Sequence, residues 1–323
     1  MIKQEKLLWS LVAAILVILF LLSSTDLIIK EKKTDIYPVS IIISDTSDEY
    51  YTNFRKGVDK ASEEYNVDVN LITLFEKGDA VQQMELLKRE IDDGASAVIL
   101  APAKPEECAR LLDGMVLGSP VIVLGDVFAN DYVRGSISQN YEEEGEKLGK
   151  AIASEHTTSL PVWIFTEGLD YGYNRQIYDG LSAVLKESGF SIGIYEKKEK
   201  ETFRNTIEGT VYPYSNEAII AAIDVESLDE VAGIIAGSPV YKNYIAGLYG
   251  IGSTTKILTA LDNGIIKGVV AIDQFDAGYT SIQKAVEVIH KKQEKEQIML
   301  ESYYVNKSNL RESRLEKLLY PID

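Results

Sequence analysis

From residue 44 to residue 51 the chain reads Ser-Asp-Thr-Ser-Asp-Glu-Tyr-Tyr, a run that crowds hydroxyls, carboxylates and two adjacent aromatic rings together. Ser44, Ser47 and Asp48 supply fixed hydrogen-bond donors and acceptors of the kind that grip the hydroxyls of a small polar solute. Tyr50 and Tyr51 add ring faces, which give apolar contact with few rotamers to freeze. The competing reading is structural: Ser and Asp cap the helix that follows, and one tyrosine belongs to the core.

Other chemistry is poorly provided for. His156 and His290 have no partner at metal or triad spacing, so no metal site and no catalytic residue is expected. Gly250-Ile251-Gly252, followed by Ser253 and Thr254, can cradle an anion, but it lacks a third glycine and an acidic ribose contact and reads as a tight strand-to-helix turn. Cys108 lies in a helical stretch, Glu106 to Leu112, as a small core or surface residue. It is the sole cysteine, so no internal disulfide forms and the compartment stays open on that count. No cofactor is expected.

The polar run is held by a β-branched stretch before it and an amphipathic helix after it, within Val39 to Val58. That order places it at the carboxyl end of a buried strand, where open α/β sheets bind ligands. The grammar repeats. Strand-like runs Val67 to Thr73, Ser96 to Leu100, Val121 to Leu124, Val162 to Phe165, Ala218 to Ile223, Ile245 to Leu248 and Val269 to Ile272 alternate with helical stretches. Such alternation predicts an α/β fold of parallel sheets covered on both faces by helices.

With 323 residues the chain is long enough for two domains after a terminal segment is set aside. A net charge of -17, spread along the chain, argues against nucleic acid, since phosphate binding needs clustered Lys and Arg. From Leu7 to Thr25 no residue is charged, and a helix of that length spans roughly 28 Å, enough to cross a bilayer. The alternative is a cleaved signal peptide, although Ser23-Ser24-Thr25 is a poor cleavage site and no cysteine follows for lipid attachment. Lys3 and Lys6 precede the span while Lys30, Lys32 and Lys33 follow it, so the lysine count leaves the orientation open.

Residues 37 to about 310 resemble the type I periplasmic binding proteins of the ribose- and galactose-binding kind. SDTSDEYYTNFRKGVDKASEEYNVDV is similar to that family's first ligand loop and helix, and an I-x-x-G-x-D-A-I-I-x-x-P pattern recurs as Ile91, Gly94, Ala97 and Pro102. SPVIVLGD, ISQN and GIGSTTKILTALDNGIIKGVVAIDQFDAGY follow in the family's order. The resemblance implies a two-lobed fold with three crossovers, and the apolar run ahead of it is expected to form an N-terminal transmembrane anchor and juxtamembrane segment at 1–36. Lobe one is expected at 37–139, completed by about 272–299, and lobe two at 140–271, completed by about 300–323. It also implies that the soluble region lies outside the cytoplasm.

Carried over residue by residue, Ser44, Ser47 and Asp48 stand where the family binds sugar hydroxyls, and Tyr50 and Tyr51 where it stacks aromatics. Elsewhere the chain departs from the pattern. Gly125 and Asp126 replace Asp-Arg after the fourth strand; Arg175 lies near the place of the lobe-two arginine, with Ile177 at the expected position. Ile223-Asp224 replaces Asn-Asp, Gly252 replaces an Asp, and Ile272 beside Asp273 replaces the hinge-side Gln. Asp126, Arg175, Asp224 and Asp273 are therefore the further ligand candidates, and Tyr171, Tyr173 and Tyr249 lie near strand ends as packing or recognition residues.

The expected function is a membrane-anchored receptor for a carbohydrate or sugar-like solute that signals to a sensor histidine kinase. The alternatives are the substrate-binding subunit of a sugar ABC importer, which would partner a permease, and an enzyme on a nucleotide-binding α/β fold, disfavoured because no nucleophile or complete phosphate loop appears. A repressor is disfavoured because the hydrophobic span occupies the place of a DNA-binding head.

Overall fold

A run such as Ala97–Leu100, with no polar side chain at any position, is stable only where helices cover both faces of the sheet that contains it. In the computed structural model, which describes residues 3–24, 36–125, 128, 130–198, 201–210, 218–290 and 295–321, all four of these side chains have no solvent exposure. The chain forms two compact units, Met1–Ile36 and Tyr37–Asp323. The first contains the helix Lys3–Ser24, whose segment Lys3–Leu21 has mean hydropathy 1.9 and is long and apolar enough to cross a membrane.

The second unit holds two six-stranded sheets. Strands β1 (Tyr37–Ile42), β2 (Val67–Ile72), β3 (Ala97–Leu100), β4 (Val121–Leu124) and β5 (Val133–Gln139) build the first. Strands β6 (Val162–Thr166), β7 (Ile192–Glu196), β8 (Ala218–Ala222), β9 (Ile245–Ile251) and β10 (Gly268–Ile272) build the second. The last two strands, β11 (Glu296–Leu300) and β12 (Ser302–Asn306), then add to the β5 edge and the β10 edge respectively. The orders are β11-β5-β4-β3-β1-β2 and β12-β10-β9-β8-β6-β7, so the second sheet repeats the plan of the first. All pairings are parallel except β10 with β12.

The chain therefore passes between lobes after β5, after β10 and between β11 and β12. These are the three crossovers of a type I periplasmic binding protein fold. Each sheet buries apolar clusters on both faces: Met84, Leu87 and Leu112 on one side of the first, Phe54, Val58 and Ile282 on the other. Each such side chain contributes about 1.5–3 kcal/mol on burial. Cys108 is fully buried in the first of these clusters.

One helix pair fastens each lobe. Thr52–Tyr65 crosses Gln274–Ile289 so closely that a Cβ on Gly57 would lie 1.9 Å from the Phe275 carbonyl oxygen, and one on Gly278 2.0 Å from that of Phe54. In the second lobe Tyr141–Glu155 crosses Asn174–Glu187 the same way, Gly145 against Ile177 and Gly180 against Glu142, each at 2.0 Å. Only glycine permits such backbone contact.

The seven later strand-like runs all appear, with ends shifted by up to three residues. Strands β5, β7, β11 and β12 were not among the expected runs. Their sequences, VRGSISQ, IGIYE, EQIML and SYYVN, carry Arg, Ser or Glu and, apart from β5, lie on sheet edges where most side chains keep some exposure.

Candidate functional site

The carboxyl ends of both sheets face one cavity of about 170 Å³. From the first lobe, the chain leaving β1 supplies Ser44 and Asp45, and its path is fixed by backbone bonds from Gly78 N to Ser44 O (3.2 Å) and Leu74 N to Asp45 O (2.8 Å). A single 3-10 turn, Glu49–Tyr51, then feeds the helix Thr52–Tyr65 and brings Tyr50, Tyr51 and Phe54 to the same wall. From the second lobe come Glu167 after β6, Tyr171 to Asn174, and Asp224 to Glu226 after β8. Ile272 and Gln274 close the hinge side.

The expected ligand residues divide. Ser44, Tyr50, Tyr51 and Asp224 line the cavity. Ser47 and Asp48 do not: the Ser47 hydroxyl accepts from Glu49 N at 3.2 Å, and Asp48 pairs with Arg55 on the solvent side of the turn. Arg175 points outward and pairs with Asp170 at 3.1 Å, its side chain 58% exposed. Asp273 caps the helix Gln274–Ile289 by accepting from Asp276 N at 2.9 Å, and its lining neighbours are Ile272 and Gln274. Asp126 lies outside the described residues. Of the tyrosines near strand ends, Tyr171 and Tyr173 line the cavity, whereas Tyr249 is fully buried and donates to Glu155 at 2.7 Å beside His156.

Several lining residues carried no ligand expectation: Lys77, Gln139, Tyr141, Glu167, Asn174 and Glu226. Two had a signal nearby. Asn174 adjoins Arg175, and Glu226 follows two residues after Asp224, a helix N-cap. Lys77 had none, because only the approach of the lobes gives it a role.

The two lobes touch through this rim. The Lys77 ammonium lies 3.7 Å from Asp45 Oδ1 in its own lobe and 3.3 Å from Glu226 Oε1 in the other. Gly172 N donates to Ala103 O across the lobes at 3.1 Å, and Tyr171 lies between Gly78 and the Lys104 ammonium, 5.9 Å from the ring centroid. A second chamber of about 210 Å³ shares Tyr50, Val225 and Gln274 with the first and is lined by Thr52, Asn53 and residues 253–256, with Lys256 paired to Glu49 across the lobes.

Burial dominates the electrostatics. Asp224 accepts from Ser227 N (2.8 Å), Glu167 N (2.9 Å) and Asn174 Nδ2 (3.4 Å), yet burial still lifts its carboxyl above the ordinary range. Burial, then the Asp224 and Asp45 carboxylates, push Glu226 up to about 7 against the pull of Lys77. Lys77 is disfavoured by its own burial, but Glu226 and Asp45 outweigh that and hold it above its usual value. Tyr173 stacks on Tyr141 with centroids 4.0 Å apart and planes 7° from parallel, and its hydroxyl is raised by burial and by surrounding carboxylates. Tyr51 donates to Asp45 Oδ2 at 3.1 Å. Hydroxyls, carboxylates, three amides and stacked rings on closable walls suit capture of a small polar molecule; the lining contains no Cys or His to pair with Ser44 as nucleophile or base.

A family model described as a periplasmic binding protein domain matches residues 39–293. An ABC transporter periplasmic-binding protein of Escherichia coli K12, YphF, is 24% identical over 276 residues, which cover 77% of this chain and 80% of that one. Among solved structures, a carbohydrate transporter solute binding protein from Agrobacterium radiobacter in complex with D-arabinose superposes with TM-score 0.77 at 18% identity, covering 89% of this chain and 100% of that chain. The XylFII–LytSN complex contains a chain that superposes with TM-score 0.73 at 14% identity, covering 85% of this chain and 99% of that one.

Proposed function

Because this chain belongs to the periplasmic binding protein family, we propose that it is an extracytoplasmic receptor whose lobes close over a sugar or sugar-like solute. The protein acts by binding rather than by catalysis. The N-terminal helix holds the receptor in the membrane, where its closed outer surface is read by a sensor histidine kinase.

The observation that carries this reading is the cavity lined from both lobes at the carboxyl ends of their strands. A solute that touches both walls binds the closed form better, and its differential affinity sets how far the equilibrium shifts. The A. radiobacter relative was solved with D-arabinose, and XylFII was solved in complex with a second protein, LytSN; both support the corresponding halves of the proposal. The test is calorimetry of the full-length protein in detergent against pentoses and hexoses, followed by solute-dependent cross-linking in native membranes. Saturable binding and capture of a kinase are expected. Capture of a permease instead would sink the signalling half.

The second reading, substrate-binding subunit of a sugar ABC importer, is favoured by the description of the E. coli relative. It predicts that deleting the gene abolishes uptake of the bound solute. The receptor reading predicts that uptake persists and the transcriptional response is lost.

A further inference from the structure

The charges lining the cavity do not balance. Asp45, Glu167, Asp224 and Glu226 line it, against one lining cation, Lys77. Glu167 has a cation behind the wall, Lys197, at 2.8 Å, which that lysine shares with Glu230 at 2.7 Å. Lys77 serves both Asp45 and Glu226. The donors to Asp224 are uncharged, among them two backbone N–H groups and the Asn174 amide. With Lys77 and Lys197 so assigned, Asp224 and one member of the Asp45–Glu226 pair have no cation of their own among the described residues.

Three further observations say what would fill the deficit. The imbalance surrounds a cavity of about 170 Å³ lined from both lobes, so the missing charge can come from a bound molecule. The walls are rich in rings, with Tyr50, Tyr51 and Tyr171 joining the Tyr141–Tyr173 stack, and ring faces attract cations. Behind the lining and next to Tyr173, Glu144 adds a further carboxyl that is only 1% exposed. The upward displacement of Glu226 agrees, since a proton there supplies the positive charge that the lining lacks.

We propose that the solute carries a protonated amine, an amino sugar or an amine-bearing polyol being the class that suits acidic walls, ring faces and hydroxyl partners together. The proposal rests on the solute-binding reading above and narrows it. An ammonium has three donors and no acceptor, so it fits a site lined by four carboxyl groups and many hydroxyl oxygens. Charge-assisted bonds of this kind are roughly twice as strong as neutral ones.

The experiment is calorimetry on the full-length protein in detergent with matched sets: each common aldohexose and aldopentose, its amino derivative, and the N-acetyl form of that derivative, which keeps the nitrogen and loses the charge. An amino derivative is expected to bind about tenfold or more tighter than its neutral parent and its N-acetyl form. Glu226→Gln should shrink that ratio, and circular dichroism with thermal melting should show the variant folded. A neutral parent that binds as tightly as its amine overturns the charge assignment and leaves the sugar receptor standing. Binding by no member of the panel overturns both.

Discussion

Gly78→Ala tests whether the clasp between the lobes belongs to the ligand-bound state. Gly78 has φ of +73°, and a Cβ there would lie 2.3 Å from Tyr171 Cε1, where ordinary carbon contacts are about 3.5–4.0 Å. The substitution has two costs. Holding an L-residue in that backbone region costs about 1–2 kcal/mol, but it does so in the open and closed forms alike and cancels from solute affinity. The clash with Tyr171 exists only when the lobes meet, and overpacking of this size costs about 1–3 kcal/mol. Solute affinity should therefore fall roughly 5- to 150-fold. The matched control is Gly94→Ala: φ there is +107° and nothing lies within 4 Å, so it should lower Tm and leave affinity alone. Tyr171→Ala in the Gly78→Ala background removes the clash and should recover part of the loss, as a double-mutant cycle would read out. Calorimetry gives the affinities and solution scattering the closure. Affinity within twofold of wild type in Gly78→Ala would refute the idea that Tyr171 rests on Gly78 when solute is bound.

Tyr50→Ala should weaken solute binding by about 1–3 kcal/mol through a lost aromatic wall, whereas Arg175→Ala, which breaks only an exposed pair with Asp170, should change it less than about twofold; calorimetry separates the two. Burial raises Glu144 up to about 8, well above an unfolded glutamate, so its contribution to stability is fully present below about pH 4.5 and is lost as pH rises toward 8. Glu144→Gln should then stabilise the fold more at pH 8 than at pH 5, by on the order of a few kcal/mol and visible as a larger rise in Tm, and equal shifts at both values would show that the native carboxyl is not perturbed. The N-terminal helix should keep the protein in the membrane fraction through an alkaline wash, with an intact mass that includes residue 1; a soluble form beginning near Thr25 would remove the anchor.

The parts of this molecule legible in its sequence are those decided locally. Doubly covered strands such as β3 and β4 are apolar throughout, and a polar loop after β1 has to stand at a strand end. Asp224 was legible for the same reason, since a carboxylate after a buried run sits where a helix starts. Arg175 was misdirected by its neighbour: successive residues on a helix point about 100° apart, so Asn174 faces the cavity while Arg175 faces water. Lys77, Glu167 and Glu226 lie far apart in sequence and meet only through tertiary structure, with no local pattern to announce it. Edge strands β7, β11 and β12 escaped because half-exposed positions tolerate Glu, Gln and Asn, which blunts their alternation.

The division of the first lobe between distant stretches of chain has a consequence for the order in which the protein is made. Synthesis delivers β1 to β5 early, but the helix Gln274–Ile289 that fits against Gly57, and the strand β11 that covers the β5 edge, emerge only after β6 to β10 of the second lobe. The second lobe, from β6 to β10, has most of its partners in one continuous stretch. Nascent chain thus carries an open β5 edge and a bare apolar face around Phe54 and Val58 while its later half is already able to pack, and such surfaces are the ones that misassemble. The first lobe therefore waits for five strands of the second before it can close, and a chaperone would hold that unfinished face.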